Sequence, residues 1–205
     1  MSQAITARPI LPRSFYERDT VAVARDLLGK IVVHQPARGA LCAGRIVEVE
    51  AYVRVYSGEP DRAAHAHRGL TPRTRAIFGP GGHAYVYFVY GMHECLNFVA
   101  EPEGVPGCVL IRALEPLAGL EAMRRRRPGV RHDRLLCSGP GNLTRALGIT
   151  QRLYGADLTV SQLTVREGPA LTEVPAAAPR VGIRHGADWP LRFYLAENPS
   201  VSRHP

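Results

Sequence analysis

The sequence predicts a single α+β domain with a curved, mostly antiparallel β-sheet, surrounding helices and one protruding β-hairpin. The length of 205 residues suits one domain, since about 150 residues per domain is usual. Short runs rich in β-branched and aromatic residues recur between glycine and proline turns, which favours antiparallel strands. Amphipathic runs with helix start and stop signals flank these strands. We therefore expect residues 1–14 to form a flexible N-terminal arm and residues 15–205 to form the domain.

The first part of this domain is expected to contain one helix and two strands. Asp19 or Thr20 begins the helix, and Gly29 ends it after Leu28. A short strand is predicted over 31–34. A longer strand is predicted over 44–52, after a turn.

The middle and end of the chain predict further strands and three helices. Thr71 as cap and Pro72 at the first helical position begin a short helix that ends at Gly79. Strands over 85–89 and 93–99 form a hairpin that turns at Gly91. The remaining predicted elements are a strand over 108–114, a helix over 117–126, a helix over 139–147 capped by Ser138, a strand over 158–165, a loop over 167–179, and strands over 181–183 and 191–195.

The formal net charge of +8 favours a polyanionic partner. Lys30 is the only lysine among 26 basic residues, and arginine suits nucleic-acid recognition. A compositional bias of the genome explains the same ratio. The densest basic run, residues 124–127 together with Arg131 and Arg134, is typical either of a solvated helix end or of a phosphate contact.

Cysteine usage and the absence of apolar segments indicate the compartment. The four cysteines have no paired spacing, no signal peptide is recognisable, and no apolar run approaches the roughly 18 residues of a membrane helix. We therefore expect free thiols, a reducing cytoplasmic location near the nucleoid, and no membrane partner.

Two carboxylates on the strand over 44–52 require an explanation. Glu48 and Glu50 share one face of it, and a buried carboxylate is costly without a partner. Glu50 near the strand end could accept a proton and activate water. The alternative is a structural glutamate paired with Arg45 or with Arg112, which lies in an apolar strand and also needs a partner. A glutamate–arginine pair could still hold a water, so pairing and catalysis are compatible.

Tyrosines crowd into the predicted hairpin. Tyr85 and Tyr87 share one face, and core packing is the simpler interpretation of Tyr85. Tyr90 lies at the hairpin tip, where an exposed aromatic ring on a basic protein can wedge into a base stack. Tyr52 and Tyr87 could stack on an extruded base, each contact contributing about 1–3 kcal/mol.

Motifs for metals and bound phosphates are weak. The pairs His65-x-His67 and His93-x-Cys95 are loosely spaced, so we expect no metal. The glycine-rich runs GPGGH and GPGNLT lack the context and the lysine of a P-loop. We therefore expect no cofactor.

Five motifs together resemble the monofunctional 3-methyladenine (alkyladenine) DNA glycosylase family. They are VEVEAY, D-x-A-x-H-A, RGLTPRT, FGPGGHAYVYFVYGMHECLN and LIRALEP, and the similarity resumes at LCSGPGNLTRALGI, RVGI and WPLRFY. The resemblance covers nearly the whole chain from Phe15. It implies an enzyme that flips alkylated or deaminated purines out of duplex DNA and hydrolyses the N-glycosidic bond.

The resemblance also implies roles for individual residues. Glu50 matches the carboxylate that deprotonates the attacking water, Arg112 matches a side chain that holds this water, and the main-chain carbonyl of Val181 matches its third partner. The residues that match the walls of the base pocket are Tyr52, His65, Tyr87 and Asn97. Among these, His65 also matches the backbone amide that meets the base edge, and Asn97 matches the residue that clashes with the amino group of guanine.

The resemblance further implies how DNA is held. Tyr90 matches the side chain that fills the gap in the duplex, with Met92 beside it, and the hairpin inserts from the minor-groove side. Candidate phosphate contacts are Arg73, Arg75 and Arg145. The expected partner is double-stranded DNA, bound by a monomer.

The sequence departs from the family pattern at two places. Four additional residues lie between Tyr52 and Asp61, and Asn142 stands where a basic residue is common. Two other functions remain open. They are a non-catalytic protein that binds damaged DNA and, more distantly, an RNA-binding or formyl-group-handling module.

Overall fold

The computed structural model describes residues 2–202; residue 1 of the expected arm and residues 203–205 of the expected domain lie outside this range. The helices are α1 (Ser2–Thr6), α2 (Arg13–Tyr16), α3 (Thr20–Leu27), α4 (Leu120–Arg126) and α5 (Pro140–Leu147). The strands are β1 (Ile31–His34), β2 (Cys42–Tyr52), β3 (Val55–Tyr56), β4 (Glu59–Pro60), β5 (Ala84–Val89), β6 (His93–Ala100), β7 (Gly107–Ala118), β8 (Leu163–Arg166), β9 (Ala176–Ala178) and β10 (Arg192–Tyr194). Short 3₁₀ segments cover His65–Arg68, Arg75–Phe78, Asp133–Leu135 and Gln151–Leu153.

Within residues 2–202 the main sheet has eight strands, and the pairs in it are antiparallel. The path runs β5–β6–β7–β2–β1–β8, and β10 joins β2 to β9. This arrangement confirms the predicted α+β fold with a curved, mostly antiparallel sheet.

Strand β2 is central because it has neighbours along both edges. One edge pairs with β7, while the other pairs first with β1 and then, from Glu48 to Glu50, with β10. Nearly every residue of β2 is buried, as expected for a strand covered on both faces. The sheet packs against α3 and α5 through residues such as Leu27, Leu143 and Phe98.

Residues 2–14, which the sequence predicts as an arm, contact the rest of the protein. They include helix α1, and Ile5 and Leu11 are buried. The Leu11 N–H donates to the Val165 carbonyl, and Ile10 bridges to Arg166. Backbone pairing with the edge strand β8 therefore fixes a segment whose sequence lacks periodicity.

Three predicted helices begin at another residue or are replaced by other structure, each for a local reason. Strand β7 runs on to Ala118, which pairs with Ala43, so α4 begins only after Gly119 (φ 79°). Gly139 rather than Ser138 is the N-cap of α5, because the Ser138 hydroxyl donates to the Val201 carbonyl. The helix expected from Thr71 is a turn followed by the 3₁₀ segment Arg75–Phe78.

Several predicted strands are shortened, absent or replaced. The strand expected over 158–165 is confined to β8, because Asp157 folds the preceding residues into a turn with Thr159. No strand forms over 181–183, where the Val181 N–H bonds a carboxylate and Gly182 has φ 70°. The loop expected over 167–179 contains β9.

The additional residues after Tyr52 form a small hairpin of β3 and β4. Ser57 and Gly58 both have positive φ, as a tight two-residue hairpin turn requires. Tyr56 packs on Trp189 with ring centroids 5.2 Å apart. This hairpin is therefore an ordered element that packs on Trp189.

Candidate active site

A cavity of about 400 Å³ opens where β2, β5, β6 and β7 meet the 181–183 segment. The seven residues assigned from the sequence to catalysis and base binding all line it, namely Glu50, Tyr52, His65, Tyr87, Asn97, Arg112 and Val181. Tyr90 of the hairpin tip lines its mouth. These residues come from six segments of the chain, namely β2, the 3₁₀ segment that begins at His65, β5 with the hairpin tip, β6, β7 and the 181–183 segment.

Glu50 has no solvent-exposed surface, yet it borders the cavity. Its Oε1 accepts a hydrogen bond from the Val181 N–H at 2.7 Å and lies 3.2 Å from Arg112 Nη1. Its Oε2 accepts from the Tyr52 hydroxyl at 2.9 Å. Three donors, from Val181, Arg112 and Tyr52, therefore converge on the two carboxylate oxygens and fix the orientation of this side chain.

Arg112 is held by the other glutamate of β2. Its Nε donates to Glu48 Oε1 at 2.9 Å, and Glu48 Oε1 also accepts from Arg192 at 2.8 Å. Glu48 Oε2 accepts from the Ser202 N–H at 2.7 Å. Burial opposes ionisation of Glu48, but Arg112 and Ser202 outweigh it and lower the pKa of this carboxyl. Glu48 therefore orients Arg112, which reaches Glu50 through Nη1 and the Ser202 hydroxyl through Nη2.

Aromatic rings form the cavity walls. The rings of His65 and Tyr87 meet edge to face with centroids 4.6 Å apart. The Tyr85 hydroxyl lies 2.9 Å from His65 Nδ1, and Tyr85 is almost fully buried, as core packing predicted. Burial and the nearby charges of Arg73 and Arg68 lower the pKa of His65 to about 4. The imidazole is consequently neutral at physiological pH.

Asn97 is buried with its amide oriented by the hairpin backbone. Its Nδ2 donates to the Tyr85 carbonyl at 3.1 Å, which leaves Oδ1 near Cys108. Cys95 and Cys108 also line the cavity, and the sequence reasoning did not assign them. Strand alternation could have found them, because Cys95 is two residues from Asn97 and Cys108 is four from Arg112.

The hairpin tip is exposed, as predicted from the glycine turn. Tyr90 is 84% exposed and adopts φ 53°, and Met92 is 69% exposed. Positive φ is uncommon for a tyrosine and is associated with functional turns. The tip therefore presents two large apolar side chains beside the cavity mouth.

The basic residues fall into two groups. Arg73, Arg75 and Arg145 are exposed, and the Arg73 guanidinium lies 5.3 Å from the Tyr87 ring centroid. In the run 124–127, by contrast, three arginines bond within the protein. Arg124 pairs with Asp133, Arg126 donates to the Ala146 carbonyl, and Arg127 donates to the Leu135 and Leu136 carbonyls. Three of the four guanidinium groups in this run therefore already have partners within the protein.

Three further features considered in the sequence can be compared with the structure: Asn142, possible metal ligands and possible membrane-spanning segments. The Asn142 side chain donates to the Ser138 carbonyl at 2.6 Å. Among residues 2–202, no cluster of three or more histidine, cysteine, aspartate or glutamate side chains could hold a metal ion. No helix in this part of the chain is long and apolar enough to span a bilayer.

Comparisons with a protein-family model and with individual proteins point to the same family. The family model described as methylpurine-DNA glycosylase matches residues 14–199. A protein of Methanoculleus marisnigri named "Putative 3-methyladenine DNA glycosylase" is 51% identical over 204 residues, covering 94% of this chain and 98% of the relative. Proteins of the same name from Methanocella arvoryzae (49% identical, 95% and 96% covered) and Burkholderia cenocepacia (48%, 98% and 97%) are similarly close.

Proposed function

Because this chain belongs to the methylpurine-DNA glycosylase family, and is therefore a DNA glycosylase that acts on alkylated bases, we propose a mechanism of base flipping followed by hydrolysis. The substrate is an alkylated or deaminated purine in duplex DNA, approached from the minor groove by a monomer. The observation that carries the proposal is a buried carboxylate, Glu50, that borders a cavity walled by aromatic rings.

The target base has to leave the helix before it can be attacked. Enzymes that act on a base inside a duplex extrude the nucleotide into a pocket, at a cost of a few kcal/mol. The walls Tyr52, His65 and Tyr87 supply stacking contacts of about 1–3 kcal/mol per base–aromatic pair. Tyr90, with Met92 beside it, fills the vacated space, and Arg73, Arg75 and Arg145 hold phosphates on either side. Asn97 opposes the exocyclic amino group of an undamaged guanine.

Hydrolysis then needs one water and one base. Glu50 accepts a proton from the water as its oxygen bonds to C1′ of the deoxyribose. The N-glycosidic bond breaks at the same time, and its electron pair departs with the purine. A purine alkylated on N3 or N7 is cationic in the nucleotide and so leaves as a neutral base. A neutral purine such as hypoxanthine leaves as an anion and takes up one proton, which balances the proton that Glu50 removes from the water. Arg112 and the Val181 carbonyl orient the water, while the aromatic walls favour a cationic ring through cation–π attraction.

The proposed nucleophile is water rather than an amine. A Schiff-base lyase needs a lysine at the reacting carbon. Lys30 is the only lysine of the chain, and its Nζ pairs with Glu167 at 2.6 Å. We expect base release without strand cleavage; capture of a covalent DNA adduct by borohydride would contradict this.

The test is base release from duplexes that each carry one lesion: 3-methyladenine, 7-methylguanine, hypoxanthine or ethenoadenine. We expect free base from at least one lesion duplex, none from the undamaged duplex, and none from matched RNA. Tight binding to a lesion without any release would instead indicate a damage-binding protein. Equal activity on RNA would favour the RNA-directed alternative.

A further inference from the structure

A second buried ion pair lies behind the cavity and takes no part in the mechanism above. Asp61 and Arg180 form a two-pronged contact, with Arg180 Nη1 2.6 Å from Asp61 Oδ2 and Nη2 2.9 Å from Oδ1. Neither side chain has any exposed surface. Paired planar groups of this kind hold their partners in one geometry. The pair therefore offers a rigid connection between residues 119 apart in sequence.

The pair ties together three segments that build the cavity. Asp61 accepts from the backbone N–H groups of Val53, at the end of β2, and of Ala63, in the turn that leads to His65. Arg180 donates to the Ala51 carbonyl at 3.1 Å. Arg180 directly precedes Val181, whose N–H donates to Glu50. Displacement of either partner would thus move both a wall and a donor of the site.

The Asp61–Arg180 pair also determines the net charge next to the Tyr52 ring, which is one wall of the cavity. The Arg180 guanidinium carbon lies 4.7 Å from the centroid of the Tyr52 ring. A base stacked on the opposite face at about 3.5 Å would place its charge roughly 8 Å from that of Arg180. The Asp61 carboxylate cancels the arginine charge, so a cationic base meets a neutral pair.

We propose that Asp61 and Arg180 are positioning residues that hold Val181 on Glu50 and present a charge-neutral backing to Tyr52, so that the pocket accepts cationic purines. The proposal rests on the function proposed above. It concerns residues that touch neither the base nor the water. Its distinctive consequence is that removing one charge of the pair changes the preference between charged and neutral lesions.

The test compares single-turnover excision at subsaturating enzyme, where the rate includes capture of the base, for 7-methylguanine, a cationic lesion, and hypoxanthine, a neutral one. Asp61→Asn leaves the arginine charge uncancelled and should lower the ratio of the two rates about tenfold or more, from unit charges roughly 8 Å apart at an effective dielectric constant of about 20. Arg180→Gln leaves the aspartate charge and should raise the ratio. Arg180→Lys keeps the charge but loses the two-pronged contact, so both rates should fall while the ratio stays near that of the wild type.

A double variant guards against misfolding of the single ones. Asp61→Asn/Arg180→Gln leaves no lone buried charge, which is the main destabilising effect of breaking such a pair. Its ratio should return towards the wild-type value, with both rates reduced about tenfold because Val181 is no longer held. Asp157→Asn is the matched control, since Asp157 pairs with Arg13 away from the cavity. It should leave both rates and their ratio unchanged.

Two outcomes overturn the proposal. One is an unchanged ratio in folded Asp61→Asn and Arg180→Gln proteins. The other is wild-type rates in the double variant. Failure of the underlying function is distinguishable, because the wild-type chain itself would then release neither base.

Discussion

Two regions of the molecule use the same charged residue types in opposite ways. In the anchored region, made of Glu48, its arginine partners and the run 124–127, charged side chains bond to other protein groups. In the open region, made of the cavity and the hairpin tip, the carboxylate of Glu50 also has protein partners but borders the cavity as well. Glu48 and Glu50 are only two residues apart on β2, yet they belong to different regions.

Glu48 and Glu50 differ in whether their hydrogen-bond partners separate the carboxylate from the cavity. Glu48 is surrounded by Arg112, Arg192 and the Ser202 N–H and does not line the cavity. Glu50 shares Arg112 and also borders the cavity. A fully bonded carboxylate stabilises the fold, whereas one that borders a cavity can accept a proton from a bound molecule. Burial alone does not separate the two, because both are fully buried.

The largest expected effect on stability separates these glutamates. Glu48→Gln removes the charge that balances Arg112 and Arg192, so it should lower the free energy of unfolding by about 3–5 kcal/mol. Glu50→Gln should change it by less than about 1 kcal/mol, because Arg112 keeps Glu48 as a partner. Denaturant unfolding of the two variants measures this difference, and equal losses would remove the distinction between the regions.

Acid should weaken the fold through a histidine of the open region. The pKa of His65 is about 4 in the folded protein, against an ordinary value of 6.5, because burial and nearby arginines disfavour its cation. The unfolded chain therefore binds more protons between these pH values. The stability that the neutral ring contributes is complete above pH 6.5 and is lost as the pH falls towards 4, by at most about 3 kcal/mol.

The measurement is the free energy of unfolding at pH 7 and pH 5 for the wild type and His65→Gln. The variant should show the smaller difference. His34 has its pKa lowered mainly by burial as well, so His34→Gln is the companion variant that removes a second contribution of the same sign. An identical pH dependence in wild type and His65→Gln would contradict the assignment.

The hairpin tip should contribute to lesion capture rather than to general DNA affinity. Tyr90→Ala should weaken binding to a lesion duplex about tenfold, from the loss of one stacking contact, and should leave affinity for undamaged duplex nearly unchanged. Phe88→Ala is the matched control, because Phe88 is also exposed on the hairpin but does not line the cavity. A uniform loss of binding to all DNA would count against the wedge.

The smallest effects should distinguish the two groups of arginines. Arg73→Ala should weaken binding to any duplex a few-fold and reduce the slope of log affinity against log salt by about 1. Arg124→Ala should leave that slope unchanged, because Arg124 is already paired with Asp133. Binding isotherms at several salt concentrations test both, and equal slopes would contradict the division.

Local sequence patterns predicted the features that depend on neighbouring residues, such as strand faces, turns and helix caps. Alternation along β2 placed Glu48 and Glu50 on one face, and the glycine turn placed Tyr90 at an exposed tip. The N-cap of α3 was also predicted, since Asp19 accepts from the Ala22 N–H three residues on.

Contacts between segments that are distant in the chain could not be predicted from the sequence. The Asp61–Arg180 pair joins residues from separate loops, and the partners of Glu48 include Ser202 near the end of the chain. The two-residue alternation along a strand predicts which side chains share a face of the sheet, but it does not predict which distant segment packs on that face. The resemblance to a family assigned Val181 through its carbonyl, whereas the bond from its N–H to Glu50 appears only in the folded structure.

The central claim is that Glu50 activates water while Glu48 supports the site. The most direct test is the single-turnover rate of hypoxanthine release by Glu50→Gln and Glu48→Gln, at enzyme excess and at a temperature where both are folded. We expect Glu50→Gln to bind the lesion duplex within about threefold of wild type and to release base about 10²–10⁴-fold more slowly, the usual contribution of a general base. Glu48→Gln should stay within about tenfold of the wild-type rate. Release by Glu50→Gln at the wild-type rate would contradict the account.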